Sequence, residues 1–134
     1  MRKKSPLLRV LVGDDEPLIR WSLVETLAGA GHDVVEAIDA RDAIQVVTDA
    51  ATPFDVALLD FRLPDSNDLT LLTRLQRLTP ATRIILMTAY GTPEVLQGAL
   101  DLGAYRILNK PFEMGALSPL VTEACGARVE GMVC

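Results

Sequence analysis

Four apolar segments of this 134-residue chain each lead into polar side chains of the kinds that carry chemistry. Asp14 and Asp15 follow RVLVG, Asp60 follows VALL, Thr88 follows IILM, and Lys110 follows YRILN. Strands this apolar usually lie buried in a parallel sheet, and open α/β sheets place their sites at the carboxyl ends of the strands. We therefore expect three carboxylates, a hydroxyl and an ammonium group at one edge of a sheet.

A cluster of three carboxylates requires a compensating cation, because two carboxylates about 4 Å apart repel by roughly 4 kcal/mol at an effective dielectric near 20. Mg²⁺ is the natural candidate, since it takes oxygen ligands and commonly joins one or two carboxylates to a phosphoryl oxygen. Mn²⁺ accepts the same type of ligand and is the second candidate. The acidic cluster therefore predicts a divalent cation at this edge.

Hydrophobic periodicity predicts the elements that position these residues. Strands are expected at residues 9–12, 34–38, 55–59, 83–87 and 105–108, with amphipathic helices between them. Strands that alternate with helices form βαβ units, and right-handed crossovers then give a parallel sheet with helices on both faces. We predict a flavodoxin-like, doubly wound α/β fold with five parallel strands in the order 2-1-3-4-5.

The fifth helix is the least regular of the predicted elements. Met114, Leu117 and Val121 keep helical spacing, but Pro119 inside that helix would remove a backbone hydrogen bond and clash with the preceding turn. An alternative start places Ser118 at the N-cap and Pro119 at the first helical position. The sequence thus predicts a last helix that is short, bent or late.

Composition and charge restrict the class of protein. With 49% hydrophobic and 23% charged residues, the chain fits one globular domain with a buried core. We assign residues 1–7 to an N-terminal extension, 8–125 to the domain, and 126–134 to a tail or the start of a linker. A net charge of −5 argues against a broad basic surface for direct nucleic-acid binding.

The remaining sequence features predict a soluble cytoplasmic protein without a membrane partner. Apolar runs are short, and MRKKSPLL lacks the apolar core of a signal peptide. Cys125 and Cys134 lack CxxC spacing and a nearby histidine, so we expect two thiols without a metal or redox role. His32 lies in a Gly-His-Asp turn, where a surface position is expected.

The segments LVGDDEP, LLDFRLPDSNDL, ILMTAYG and ILNKPF, taken in order, resemble the receiver domain of response regulators in two-component phosphorelay systems. The resemblance covers about residues 8–125, and the joint presence of the four segments makes it specific. It implies that Asp60 is the phosphoacceptor. Asp14 and Asp15 would form the acidic pair that holds the metal with Asp60, and Arg62 would lend its backbone carbonyl to it. Thr88 and Lys110 would contact the phosphoryl group.

The resemblance also implies a mechanism. The Asp60 carboxylate would attack a phosphohistidine donor in line, while the metal and Lys110 neutralise the transferring group. The Thr88 hydroxyl would then move toward the new phosphoryl oxygens. A small Ala89 would leave the approach open, and Lys110-Pro111 would be a cis peptide. We expect self-catalysed phosphotransfer and autodephosphorylation rather than an enzyme with a separate substrate.

Two positions depart from the receiver pattern, and three others are expected to modify its function. Receivers often carry an aromatic switch residue three positions before the lysine, but Ile107 stands there. Tyr105 is expected on the same strand face by the period of two, where it could substitute in part. Asp68 stands where receivers commonly have Gly, and Arg62 and Tyr90 are expected to tune dephosphorylation.

The implied partner is a sensor histidine kinase or a histidine phosphotransfer protein. The signal would pass through the face formed by the fourth helix, fifth strand and fifth helix, which is also where a homodimer would form. A C-terminal output domain outside this chain, acting in transcription regulation, is a further expectation from the resemblance.

Two alternative functions remain. A pseudo-receiver would serve as a constitutive docking or dimerisation module, as Ile107, Asp68 and Pro119 suggest, although the intact acids argue against it. A magnesium phosphohydrolase of the haloacid dehalogenase type is disfavoured, because its DxDx[TV] pattern needs an acid where Arg62 stands. Taken singly, Asp14 would be an ordinary helix-start acid and Lys110 a solvated charge, and only their combination favours a site.

Overall fold

The computed structural model describes residues 8–66, 69–89 and 91–128. Its strands are β1 (Arg9–Gly13), β2 (Asp33–Ala37), β3 (Val56–Asp60), β4 (Arg83–Thr88) and β5 (Arg106–Asn109). Its helices are α1 (Pro17–Gly29), α2 (Ala40–Asp49), α3 (Thr70–Leu78), α4 (Pro93–Asp101) and α5 (Leu117–Arg128), with a 3₁₀ turn at Met114–Ala116 before α5. The predictions for residues 1–7, Asp68, Tyr90, Cys134 and the Cys125 side chain lie outside this description.

The five strands form one parallel sheet in the order β2-β1-β3-β4-β5. This confirms the predicted flavodoxin-like fold, and each strand lies within one residue of its predicted position at either end. β1 and β3 pair directly although β2 comes between them in the chain. Their carboxyl ends therefore lie side by side at the point where the strand order reverses, which is where such folds place their sites.

Alternate residues of the central strands pack into two hydrophobic cores, one on each face of the sheet. On β3, Ala57 and Leu59 face the core made with α2, α3 and α4, whereas Val56 and Leu58 face the core made with α1 and α5. All five residues of β3 are buried. A strand covered on both faces cannot tolerate a polar side chain along its length, so chemistry is confined to its end.

The first residues of α2 are held by two acidic side chains. Asp39 accepts a hydrogen bond from the N–H of Asp42 at 2.7 Å. Asp65, from the loop after β3, accepts from the N–H groups of Ala40 and Arg41 at 2.7 and 3.0 Å. These bonds satisfy N–H groups that have no partner inside the helix, and they fasten the β3–α3 loop to α2.

The start of α5 differs from both sequence-based alternatives. The helix begins at Leu117, directly after the 3₁₀ turn, so Ser118 is the second helical residue and not the N-cap. Pro119 is the third residue of α5 and does not break it, because N–H groups in the first helical turn have no intrahelical partner to lose. Among the described helices, none is long and apolar enough to cross a membrane.

Tyr105 and Ile107 lie on opposite faces of the sheet, so the expectation that they share a face is wrong. Ile107 packs against the core on the α2–α3–α4 side, and Tyr105 packs against the core on the α1–α5 side. Tyr105 precedes β5, where the backbone bends and the period of two does not yet apply. Its hydroxyl donates to the Glu123 carboxylate of α5 at 2.6 Å.

Asp65→Ala tests the connection between α2 and the β3–α3 loop. Loss of both acceptors should lower the free energy of unfolding by about 1 kcal/mol, the usual cost of a lost cap, in urea denaturation at pH 7. Asp49→Ala, at the other end of α2, is the control and should change little.

The effect of Asp65→Ala should also depend on pH. The small burial of Asp65 opposes ionisation, but the N–H groups of Ala40 and Arg41 outweigh it and hold the pKa below the ordinary 3.8. Because the folded state favours the ionised carboxylate, its stabilisation is present above pH 3.8 and is lost as the pH falls through the lowered pKa. A difference from wild type that persists undiminished in stronger acid would contradict this origin.

Candidate functional site

The polar residues predicted to meet at one edge of the sheet do so. Asp14 directly follows β1, Asp60 and Thr88 are the last residues of β3 and β4, and Lys110 directly follows β5. Asp14 donates its N–H to the carbonyl of Ala37, the last residue of β2, at 3.2 Å. All five strands therefore end in one region of polar and charged groups.

The Lys110 ammonium lies at the centre of the site. Its Nζ is 3.0 Å from Oδ2 of Asp14 and 3.2 Å from Oδ2 of Asp60. A third carboxylate, that of Glu16, lies 3.6 Å away. Burial alone would lower the pKa of Lys110, but the hydrogen bonds and charges of Asp14 and Asp60 outweigh it, and the pKa is raised. Lys110 therefore stays charged and neutralises part of the acidic cluster.

The Asp60 side chain is almost fully buried, and each of its two oxygens has a hydrogen-bond donor. It is 9% exposed, and its Oδ1 accepts from the backbone N–H of Arg62 at 3.3 Å while Oδ2 faces Lys110. Burial raises the pKa of Asp60 above 3.8, the Lys110 charge opposes this rise, and the nearby Asp14 carboxylate adds to it. The net rise means that the ionised carboxylate is held at a cost in free energy.

Three carboxylates are arranged as a cation site requires. Oxygen atoms of Asp14, Asp15 and Asp60 all lie within 4.8 Å of one another. Asp14 and Asp60 are buried and Asp15 is exposed, so the cluster is open to solvent on one side. A set of oxygen donors that leaves room for water fits Mg²⁺, which binds few protein carboxylates and keeps several of its waters.

Thr88 lies at the end of β4, next to the lysine segment. Its side chain is 3% exposed, and its carbonyl accepts from the N–H of Lys110 at 2.8 Å. The following Ala89 is exposed. Gly91 leaves no spare volume, because a Cβ there would lie 2.9 Å from Thr88 Cγ2 and 2.8 Å from Leu96 Cδ2. The β4–α4 loop is therefore closely packed against Thr88.

Two further predictions concern the segment around Lys110. The Lys110-Pro111 peptide is cis, as predicted. Ile107 is half-buried against the core on the α4 side of the sheet. The aromatic switch position is thus occupied by an aliphatic side chain that packs inward.

His32 lies away from the site, at the opposite edge of the sheet, just before β2. Contrary to the surface position predicted for it, the side chain is half-buried, and its Nε2 lies 3.4 Å from the Ser118 hydroxyl. Burial lowers the pKa of His32, so the ring is neutral at pH 7. It has no contact with the acidic cluster.

Two residues of the site were missed in the sequence. Glu16 reaches Lys110 and continues the acidic run Asp14-Asp15, so a third acid in sequence was the available indication. Arg20 donates from Nη1 to the backbone carbonyl of Asp14 at 2.8 Å. Nothing in the local pattern indicated this contact, because arginine on a helix is ordinarily a solvated charge.

Comparison with known proteins identifies a family whose members bind Mg²⁺ at an acidic pocket. The family model of the response regulator receiver domain matches residues 10–122. The response regulator protein PilR of Pseudomonas aeruginosa is 38% identical over 120 residues, which are 90% of this chain and 26% of PilR. The DNA-binding transcriptional regulator NtrC of Azospirillum brasilense is 35% identical over 115 residues, which are 86% of this chain and 24% of NtrC.

The chain spans about a quarter of the length of these two relatives. A solved structure of similar size is the CheY-like response regulator receiver domain protein of Methanospirillum hungatei, with a TM-score of 0.86 and 28% identity over 92% of this chain and 97% of that one. From the strand order, the acidic cluster and these matches, we conclude that the chain belongs to the response regulator receiver domain family of two-component systems.

Proposed function

We propose that this chain is a phospho-accepting receiver domain in which Asp60 takes a phosphoryl group from a phosphohistidine. The donor would be a sensor histidine kinase or a histidine phosphotransfer protein. The observation that carries the proposal is the surroundings of Asp60: its nearly buried carboxylate lies 3.2 Å from the Lys110 ammonium and belongs to the cluster with Asp14 and Asp15. A carboxylate so placed has both a nucleophilic oxygen and nearby positive charge.

In the transfer step an oxygen of Asp60 attacks the phosphorus atom, so that a P–O bond forms and the P–N bond to the donor imidazole breaks. The electron pair of the P–N bond returns to the imidazole nitrogen, and the ring leaves neutral when its other nitrogen carries a proton. Lys110 places its ammonium beside the transferring group, because it already contacts the attacking carboxylate. The protein's contribution is positioning and charge.

Charge neutralisation requires more than Lys110. The carboxylates of Asp14, Asp15 and Asp60 and the Arg62 carbonyl would hold Mg²⁺, or Mn²⁺ with the same oxygen donors, and the ion would supply positive charge to the phosphoryl oxygens. The buried Asp14 contacts Lys110 at one oxygen and the N–H of Glu16 at the other, so its orientation is set in advance.

The reaction is confined to the chain's own aspartate. We propose that Asp60 accepts the phosphoryl group and later loses it to water, with no separate substrate. The rate of this hydrolysis is proposed to be tuned by Arg62, which lies two residues after Asp60, and by Ala89 and Tyr90, which follow Thr88. Arg62 and Ala89 are both exposed, which supports their contact with an attacking water.

The signal is proposed to leave through Thr88. Phosphorylation adds negative charge and acceptor oxygens at Asp60, toward which the Thr88 hydroxyl would move as a donor. A Cβ at Gly91 would lie 2.9 Å from the Thr88 methyl carbon, so there is little free space between them, and we propose that a shift of the Thr88 side chain moves the β4–α4 loop. With Ile107 in place of an aromatic side chain, this loop is the proposed main route.

The receiving surface is proposed to be the face formed by α4, β5 and α5. Leu100 and Leu102 are 46% and 41% exposed at the end of α4, which supports a homodimer or an output domain covering them. Because NtrC is named a DNA-binding transcriptional regulator and is about four times longer than the match, we propose an output domain outside this chain that acts in transcription.

Phosphorylation of Asp60 is tested by incubation with Mg²⁺ and acetyl phosphate, followed by intact mass measurement. Wild type should gain the mass of one phosphoryl group, and hydroxylamine should remove it because an acyl phosphate is cleaved by this nucleophile. Asp60→Asn should gain none, and Asp49→Asn, an exposed acid on α2, should behave as wild type. No gain on wild type would instead favour the constitutive docking module.

The free-energy cost of keeping Asp60 ionised in the folded protein is tested in the absence of metal. In EDTA at pH 7, Asp60→Asn should raise the free energy of unfolding, because burial raises the pKa of Asp60 and keeping its carboxylate ionised therefore costs free energy. Because the folded state favours the protonated carboxyl, wild type recovers this free energy as the pH falls through the raised pKa toward 3.8, and the two proteins should converge. Glu25→Gln, which removes an exposed negative charge on α1, is the control; an equal gain there would assign the effect to net charge.

The role of Thr88 is tested with beryllofluoride, a phosphoryl mimic, and Mg²⁺. Amide chemical shifts of Thr88, Ala89 and residues 91–96 should change in wild type and in Thr88→Ser, which keeps the hydroxyl. Thr88→Val, which has the same shape without the donor, should bind the mimic with much smaller changes in this loop. Unchanged wild-type shifts in the loop would refute the route.

A further inference from the structure

Arg20 of α1 connects the acidic loop to the end of β2. Its Nη1 donates to the backbone carbonyl of Asp14 at 2.8 Å, and its Nε donates to Oε1 of Glu36 at 2.9 Å. The Arg20 side chain is only 17% exposed, whereas the Glu36 side chain is 49% exposed. The guanidinium is therefore held between two acceptors and is not free in solvent.

The carbonyl that Arg20 holds belongs to the peptide group joining Asp14 to Asp15. A peptide group is planar, so fixing this carbonyl fixes the position from which the Asp15 side chain starts. Within the loop, the N–H of Glu16 also donates a hydrogen bond to Oδ1 of Asp14 at 3.0 Å. Arg20 itself is anchored, because its N–H bonds to the Glu16 carbonyl at 2.9 Å.

Only a planar group with several donors can serve both acceptors at once. The guanidinium presents its N–H groups in a rigid fork, while the ammonium of lysine is a compact charge on a flexible stem. Glu36, near the end of β2, accepts from Nε and so orients the guanidinium group. Nη1 is then positioned to donate to the Asp14 carbonyl.

We propose that Arg20 is a positioning residue for the cation site, and that Glu36 orients it. Arg20 holds the Asp14–Asp15 peptide so that both carboxylates converge with Asp60. This inference rests on the proposed use of a divalent cation at the cluster.

The direction in which Mg²⁺ affinity changes when Arg20 is replaced distinguishes a positioning role from a purely electrostatic one. Arg20 is a positive charge beside an acidic cluster, so it repels a divalent cation. If it acted only as a charge, its removal would tighten Mg²⁺ binding. If it positions the carboxylates, its removal weakens binding although repulsion is relieved.

This change in affinity is measured by Mg²⁺ titration of the whole chain. The titration is followed by the amide signals of Asp14, Glu16 and Asp60. Arg20→Gln should bind Mg²⁺ about tenfold more weakly, the lower end of what loss of a residue supporting metal ligands costs. Arg20→Lys, which can serve one acceptor, should lie between Arg20→Gln and wild type. Glu36→Gln should weaken binding less than Arg20→Gln, because the guanidinium remains.

Arg9→Gln is the matched control. Arg9 also forms an ion pair with β2, with Nη1 2.8 Å from Oδ2 of Asp33, but at the amino end of the strands and away from the site. It should leave Mg²⁺ affinity unchanged while costing similar stability in urea.

Equal or tighter Mg²⁺ binding by Arg20→Gln would overturn the inference, as would equal weakening by Arg9→Gln. If Arg20→Gln fails to fold, Glu36→Gln decides, and unchanged affinity in it overturns the orienting role. If the wild type binds no Mg²⁺, the proposed use of a metal is refuted. If the wild type binds Mg²⁺ and Arg20→Gln binds it equally well, only the positioning role of Arg20 is refuted.

Discussion

The site depends on one electrostatic constraint: acidic side chains buried at the carboxyl edge of the sheet need a cation among them. Asp14 is fully buried and Asp60 is 9% exposed, yet both retain carboxylates directed at the same small space. The Lys110 ammonium compensates for them in part, through ion pairs of 3.0 and 3.2 Å. Removing Lys110 would leave two buried carboxylates without compensation, so both acids require the ammonium group.

This constraint explains why the strand order matters to the chemistry. Asp14 and Asp60 lie at the ends of the neighbouring strands β1 and β3, whereas Lys110 follows β5 and must reach past β4. The long stem of lysine makes that reach while the ammonium stays among the acids. Because Lys110 remains only one positive charge among four carboxylates, counting Glu16, the cluster retains a negative balance that favours a divalent cation.

The output side of the domain is organised differently from the usual aromatic switch. Ile107 packs into the core beside α4, and Tyr105 is turned to the other face, where Glu123 accepts from its hydroxyl. The two side chains therefore pack on opposite faces of the sheet. A Cβ at Gly91 would lie 2.9 Å from Thr88 Cγ2, so the loop before α4 has little free space beside Thr88.

The sequence by itself determined the fold class, the five strands and the four strand ends that form the site, because apolar runs and the residues ending them are local features. Even Asp14, Asp15, Asp60, Thr88 and Lys110 were identified in this way. Only the tertiary structure decided that Tyr105 leaves the Ile107 face, that Pro119 lies in the first turn of α5, and that Asp65 caps α2. It also brought Arg20 to the Asp14 carbonyl and Glu36 to Arg20. These features depend on how the helices pack on the sheet and on how the loops join them, which no local periodicity encodes.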